Sequence, residues 1–348
     1  MFSKSITEDV VSKKVVISGY YGFKNFGDEA VLAVLIEKLK TFASDITVLS
    51  SAPEWTSVTY NVKSCQTFDI ISIITLIKNT DILISGGGSL LQDATSLKSL
   101  LYYLTVIWIA IIFKKHVIIF AQGIGPIKSG IARLIVMFML KKCMYVSVRD
   151  VKSLELLKQY GIMAELVCDP FYSVEIPETC KNKSIGIQLR SCKTMNINFI
   201  NHLAMQVIRD FPNQAVKVFS LQDSLDLNWC KCFINSVKVI APDIDIELIS
   251  GKPIKEIICE ISKSEYLIAM RFHALITALK AGVKSLAINY DIKVETLAND
   301  AEIPYISLTD FSNFKEKFFE LKKEDTQCLK DFVSSKKFNW DEIEKIIL

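Results

Sequence analysis

Asp81-Ile82-Leu83-Ile84-Ser85-Gly86-Gly87-Gly88-Ser89-Leu90-Leu91-Gln92-Asp93 is the stretch on which the fold turns. A short apolar run followed by three glycines reads as a buried strand whose C-terminal end opens into a bare loop. Glycine reaches φ > 0 and lets main-chain N–H groups come close to a ligand. A helix starting after such a loop would add unpaired donors and partial positive charge suited to an anion. Two other segments share this grammar. Val15-Val16-Ile17-Ser18 runs into Gly19-Tyr20-Tyr21-Gly22-Phe23-Lys24-Asn25-Phe26-Gly27-Asp28-Glu29, and Val117-Ile118-Ile119-Phe120-Ala121 runs into Gln122-Gly123-Ile124-Gly125-Pro126. Three glycine-rich loops at strand ends predict one ligand-facing edge of an open α/β sheet, with Gly19, Gly22, Gly27, Gly86, Gly87, Gly88, Gly123 and Gly125 as its backbone. Tight strand-to-helix turns also need glycine, and no Walker A sequence is present. The glycines alone name no ligand.

Outward from this edge, apolar runs alternate with helical patterns. Strands are expected at Lys14–Ser18, Ile46–Ser50, Asp81–Ser85, Val117–Ala121 and Tyr145–Val148. Helices are expected at Asp28–Lys40, Asp69–Lys78, Leu97–Phe113, Gly130–Lys141 and Val151–Tyr160. Strand-then-helix order implies a parallel sheet covered on both faces. Residues 1–173 therefore read as one Rossmann-like domain and 174–183 as a polar linker. The grammar restarts in 184–323, a second such domain, with helices that include Asp226–Val237 and His273–Ala281 and its last strand at Ser285–Ile288. Residues 324–348 read as helices that pack back across the domains. The fold class is α/β, two parallel-sheet domains facing a cleft.

Composition narrows the function. A chain of 348 residues is long for one core, and half of it is hydrophobic. A net charge of +3 and short lysine pairs give no electrostatic footprint for nucleic acid. Nine scattered cysteines and three histidines offer no zinc spacing, so no metal is expected. The odd cysteine count and the polar start Met1–Ser12 point to the cytoplasm. Leu100–Phe113 is apolar but short of the ~20 residues of a membrane-spanning helix. It reads as a helix buried on the sheet; the alternative is weak attachment of one face to the inner membrane surface.

Charged residues recur at the expected strand ends. Tyr266–Met270 ends in Arg271-Phe272-His273, Tyr145–Val148 in Arg149-Asp150, and Ile185–Leu189 in Arg190; Lys293 follows Ser285–Ile288. Arginine presents a planar fork to phosphate or carboxylate. Histidine exchanges protons near neutral pH, although His273 could instead cap its own helix. His116 and His202 read as structural or exposed. The cations suit a small ligand with several negative charges.

Ser18–Ala30, Gly86–Asp93, Gln122–Pro126, Ser147–Asp150, Asp169-Pro170 and Met270–Leu275, in that order, resemble the polysaccharide pyruvyltransferase family, most closely its bacterial cell-wall CsaB type. The resemblance implies a fold similar to the GT-B glycosyltransferases. It implies phosphoenolpyruvate as co-substrate, no other cofactor, and a pyruvate ketal on a free or lipid-linked saccharide as product. Donor-binding residues would be Arg149, Arg271, Lys293 and, more weakly, Arg190, with His273 catalytic. Acceptor contacts would come from Asp28, Gln92, Asp93 and Gln222, the last within Phe219-Ser220-Leu221-Gln222-Asp223-Ser224-Leu225-Asp226. Two rival readings stay open: a glycosyltransferase using a nucleotide sugar, which needs a carboxylate in the second domain to read base or ribose, and a non-catalytic sugar-binding relative.

Overall fold

The computed structural model describes residues 13–348 apart from Phe42 and Thr95. The polar start read at Met1–Ser12 lies outside the described residues. The chain forms two compact units. The first holds the described residues up to Phe23, then Val31–Pro170 and Phe338–Leu348; the second holds Lys24–Ala30 and Phe171–Lys337.

In chain order the elements of the first sheet and its helices are β1 (Lys13–Ser18), α1 (Phe26–Leu39), β2 (Ala43–Ser50), α2 (Pro53–Tyr60), β3 (Lys63–Gln66), α3 (Ile70–Lys78) and β4 (Ile82–Ser85). They continue with α4 (Leu97–Ile112), β5 (His116–Gln122), α5 (Gly130–Leu140), β6 (Tyr145–Val148), α6 (Val151–Gln159) and β7 (Glu165–Leu166). All seven strands are parallel, in the order β3-β2-β1-β4-β5-β6-β7. The direction of winding reverses between β1 and β4, where Val16 pairs with both Thr47 and Leu83. Such a switch point opens a crevice at the C-terminal ends of its two strands. Every residue of β4 is buried, as a sheet covered on both faces requires.

The second unit repeats the plan. Its elements are β8 (Ser184–Gln188), α7 (Ile197–Asp210), β9 (Ala215–Phe219), α8 (Asp223–Ile240), β10 (Ile246–Ile249), α9 (Ile254–Lys263), β11 (Tyr266–Ala269), α10 (Phe272–Lys280), β12 (Lys284–Asn289), α11 (Ile292–Asp300), β13 (Tyr305–Ser307), α12 (Phe314–Lys323) and α13 (Thr326–Ser334). The parallel order is β10-β9-β8-β11-β12-β13, with its switch point between β8 and β11. α14 (Asp341–Ile347) belongs to the first unit, where Phe338 and Trp340 pack on Phe120 at ring-centroid distances of 5.3 and 5.6 Å.

Eleven residues separate Ser85 from Leu97, where α4 starts as expected. Two departures from the sequence reading bear on the site. The helix expected from Asp226 begins at Asp223, so Asp226 lies one turn inside it. And α4 is not buried all round. Leu100, Leu104 and Ile107 enter the core, whereas Leu97, Leu101, Trp108 and Ile112 form an exposed stripe. Among the described residues, no helix is long and apolar enough to cross a membrane.

Candidate active site

The first unit's switch point is filled by the chain itself. Tyr21, 1% exposed, lies across the ends of β1 and β4. A Cβ on Gly19 would overlap its ring, and a Cβ on Gly86 its hydroxyl. These glycines make room for a buried phenol. Gly22, at φ 81°, faces the β2–α2 turn, where a Cβ would overlap Ser50 Oγ. That hydroxyl bonds Thr56 Oγ1 at 2.7 Å and accepts from Ala52 N.

The third glycine loop is tied to the second in the same manner. Gln122, fully buried, donates from Nε2 to Ser85 O, Ser85 Oγ and Gly86 O. Gly123 N donates to Gly88 O at 2.9 Å, and Gly125 N to Leu91 O at 2.8 Å. Gly87 lies against Val31, and a Cβ on Gly123 would crowd Ser89 Oγ. Asp93 closes this region: its carboxylate accepts from Lys128 N at 2.7 Å and Ser129 N at 2.8 Å. The Lys128 and then Ser129 N–H bonds hold its carboxyl below the ordinary aspartate value. Asp93, expected to meet the acceptor, is thus used in shaping the loop ahead of α5. Gln92, beside it, is half-buried.

Arg149 stands at the end of β6, away from the switch point. Its Nη1 donates to Asp169 Oδ2 at 2.6 Å and its Nη2 to Ser89 Oγ at 3.3 Å. The two side chains are 9% and 3% exposed. Asp169-Pro170 therefore supplies a countercharge, a role that its position on a separate turn hid.

At the second unit's switch point the chain places charge instead of a phenol. Arg271 follows β11 as the cap residue of α10, with its side chain 8% exposed. Its Nε donates to Asp226 Oδ2 at 2.8 Å and its Nη2 to Asp226 Oδ1 at 2.6 Å, a bidentate pair. Nη2 also donates to Gln222 Oε1 at 3.1 Å, and the main-chain N–H to Gln188 Oε1 at 2.8 Å. Asp226, fully buried, collects further bonds on Oδ2 from Leu221 N, Gln222 N and Gln188 Nε2. Burying a charge is costly unless it is paired and hydrogen-bonded. Asp226 meets that condition, so the burial of Arg271 needs no ligand to explain it. Gln222, expected at the acceptor, accepts from the guanidinium through Oε1. Among the described residues Arg271 Nη1 donates no hydrogen bond, which leaves one edge of the fork for another oxygen.

Asp226 is the residue that the sequence reading missed. Its signal was there: a carboxylate four residues after Gln222, one turn into a helix that follows β9.

His273, in the first turn of α10, is positioned by glycine. A Cβ on Gly27 would overlap its Nδ1. The Phe171 ring lies 4.9 Å from the imidazole on another side, and Phe26 packs against Phe171 at 5.7 Å. The Lys24–Ala30 segment is anchored by Phe26 N donating to Leu221 O at 3.0 Å, and Asn25 Oδ1 accepts from Gly27 N. Gly27 and Asp28, in the first turn of α1, thus belong to the same unit as His273. Arg190 donates to the Tyr290 hydroxyl at 2.8 Å and stacks on that ring at 4.9 Å. Burial pushes the Tyr290 phenol up, against the pull of Arg190 and Arg271. Lys293 is exposed in the first turn of α11.

The model of one family, polysaccharide pyruvyl transferase, matches residues 25–292. The chain belongs to the polysaccharide pyruvyl transferase family. The match takes in Arg149, Arg190, Arg271, His273, Asp169 and Asp226, and stops one residue short of Lys293. Comparison with curated proteins finds no match. Among solved structures, Neisseria meningitidis UDP-GlcNAc 2-epimerase bound to UDP-GlcNAc is 11% identical. It covers 96% of this chain and 99% of its own, with a TM-score of 0.62. Anabaena Alr3699/HepE in complex with UDP-glucose is 10% identical over 96% and 98%, with a TM-score of 0.63. A UDP-N-acetylglucosamine 2-epimerase from Listeria monocytogenes, itself so named provisionally, is 10% identical over 92% and 91%, at 0.62. At these identities the likeness is one of fold: this family member has the GT-B-like plan of two parallel-sheet α/β domains, and it is a transferase by family.

Proposed function

We propose that the protein transfers the pyruvyl group of phosphoenolpyruvate to two hydroxyls of one sugar in a polysaccharide precursor, forming a cyclic ketal and releasing phosphate. The observation that carries this reading is the Arg271–Asp226 pair beside His273, within the segment matched by the family. A proton delivered to the methylene carbon makes the central carbon electrophilic. The two hydroxyls add there in turn, and the C–O bond to phosphate breaks. Of the two hydroxyl protons, one replaces the proton delivered to carbon and the other leaves on hydrogen phosphate.

His273 is the candidate for the acid and base steps, a role worth about 10²–10⁴ in rate. Asp226 locks one edge of Arg271, so the remaining nitrogen is preorganised for an anionic oxygen. Arg190 and Lys293 add positive charge from the same unit, and Arg149 remains a donor-binding candidate on its own unit. Asp28 and Gln92 remain the acceptor candidates. A free or lipid-linked amino sugar of a cell-wall or exopolysaccharide precursor is the expected acceptor, and no further cofactor is invoked.

The test is incubation with phosphoenolpyruvate and candidate saccharides, read by phosphate release and by mass spectrometry for one added ketal. A second reading, a nucleotide-sugar enzyme, draws on the UDP-sugars named with its structural neighbours. Thermal shift separates the two: phosphoenolpyruvate stabilises the protein under the first, a UDP-sugar under the second, and neither if it is a non-catalytic binder.

A further inference from the structure

The exposed side of α3, α4 and α5 is the largest feature that this chemistry does not use. On α4 the outward stripe is Leu97, Leu101, Trp108 and Ile112; on α5 it is Ile131, Leu134, Ile135 and Phe138. Ile131 is 75% exposed and Leu134 62%. Trp108 and Phe138 approach to 6.2 Å and join the two stripes. Exposed apolar patches of this extent mark interaction sites.

The charge on the patch selects the occupant. α3, α4 and α5 contain Lys78, Lys98 and Arg133 and no aspartate or glutamate. Their ends add exposed Lys114, Lys128, Lys141 and Lys142, and Lys142 lies over the Phe138 ring at 4.9 Å. Two carboxylates bond the turns of these helices: Asp69 caps α3 through Ser72, and Asp93 holds the Lys128–Ser129 turn. An apolar stripe rimmed mainly by cations fits the boundary between acyl chains and anionic headgroups. Isologous pairing of two copies through this face would set lysine against lysine. At 16 residues α4 is about 24 Å long, less than the ~30 Å hydrocarbon layer, so it lies on a bilayer and does not cross it.

We infer that this face of the first unit docks on anionic membrane surfaces, with Leu101, Trp108, Ile131, Leu134 and Phe138 entering the headgroup–acyl boundary and the lysines meeting the headgroups. The inference is independent of the reaction proposed above, so neither falls with the other.

The test is flotation of the full chain with extruded vesicles of phosphatidylglycerol and phosphatidylcholine, against phosphatidylcholine alone. Binding to the anionic vesicles is expected, with a steep loss at high salt and roughly fivefold weakening for each lysine removed. I131S/L134S/F138S should lower binding at least tenfold, and K141E/K142E should do so while leaving the apolar stripe intact. Near-UV circular dichroism and melting curves of both variants check that the fold is kept; because these side chains point outward, K141E/K142E keeps the test valid if the triple variant misfolds. Absence of wild-type flotation, or equal flotation of wild type and K141E/K142E, overturns the inference. So does a wild-type dimer in light scattering that I131S/L134S/F138S dissociates, which would give the face to a second copy.

Discussion

The two units share a topology and use it differently. Both wind outward from a central pair of strands and reverse direction there, and both place glycine near that point. In the first unit the crevice between β1 and β4 holds Tyr21, a neutral ring seated on Gly19 and Gly86. In the second, the equivalent place between β8 and β11 holds an arginine clamped by a buried carboxylate, with His273 seated on Gly27. The same backbone plan thus seats a neutral ring in one unit and a buried ion pair in the other, where the proposed reading puts the chemistry. The arginines repeat the contrast. Arg271 grips both oxygens of Asp226, while Arg149 reaches Asp169 through a single nitrogen, three strands from its sheet's reversal.

The largest effect expected from this difference concerns His273. His273→Ala should lower ketal formation by about 10²–10⁴ with the fold intact. Gly27→Ala should approach the same loss, because the added methyl displaces the imidazole, although alanine is ordinarily better than glycine inside a helix by about 0.5–1 kcal/mol. Steady-state turnover and melting curves of both variants check this. Normal turnover in Gly27→Ala would detach the glycine from the histidine.

Next comes the buried pair. Asp226→Ala leaves Arg271 charged, buried and without its partner, at a cost of about 3–5 kcal/mol. Asp169→Ala should cost less, since Arg149 keeps Ser89 and has fewer bonds to lose. Urea unfolding of the two variants ranks them, and the reverse order would break the contrast between the units.

Gly86→Ala sharpens the reading of the first unit. The methyl overlaps the Tyr21 hydroxyl, so stability should fall by about 1–3 kcal/mol as in other overpacked cores. Turnover per folded molecule should stay near wild type. A large loss of turnover with unchanged melting would return Gly86 to the ligand.

The smallest effect belongs to a half-buried carboxylate. Glu324 accepts from Ser285 N where the two aspartates hold guanidinium groups, and burial pushes its carboxyl up to about 8. A raised carboxyl pKa means that the folded state holds a proton that the unfolded chain has released. The stability it contributes is full below about 4.5 and is lost as pH rises through about 8. Glu324→Gln keeps the neutral form at every pH. Between about pH 5 and about pH 9 its melting temperature should fall less than that of wild type, by a few degrees at about 2–4 °C per kcal/mol. Parallel melting profiles would refute the assignment.

Much of this was legible in the sequence because periodicity and glycine are local signals. The buried strands, such as Ile82–Ser85 and Ser184–Gln188, and the amphipathic α7 are encoded by their own residues. Shorter or more polar elements were not. β3 and β7 carry few apolar residues and take their structure from pairing with β2 and β6; α2, α11 and β13 were passed over for similar reasons. At the site, Arg271 and His273 stood out as a charged pair at a strand end. Their partners did not, because Asp226, Asp169 and Gly27 meet them only through the fold. The glycines were read for what they expose, whereas Gly19, Gly86 and Gly27 matter for what they admit. The outward stripe of α4 and α5 was left as an alternative for the converse reason: an apolar helix does not tell which of its sides a sheet covers.

The most direct measurement is calorimetric titration of phosphoenolpyruvate into wild type, Arg271→Lys and Arg149→Lys, with melting curves of the unliganded variants as the folding control. Lysine keeps the charge but lacks the planar fork. If the chemistry resides at the second unit's switch point, Arg271→Lys loses donor affinity by tenfold or more while Arg149→Lys loses less. Equal affinity in wild type and folded Arg271→Lys, or a greater loss in Arg149→Lys, would contradict that assignment.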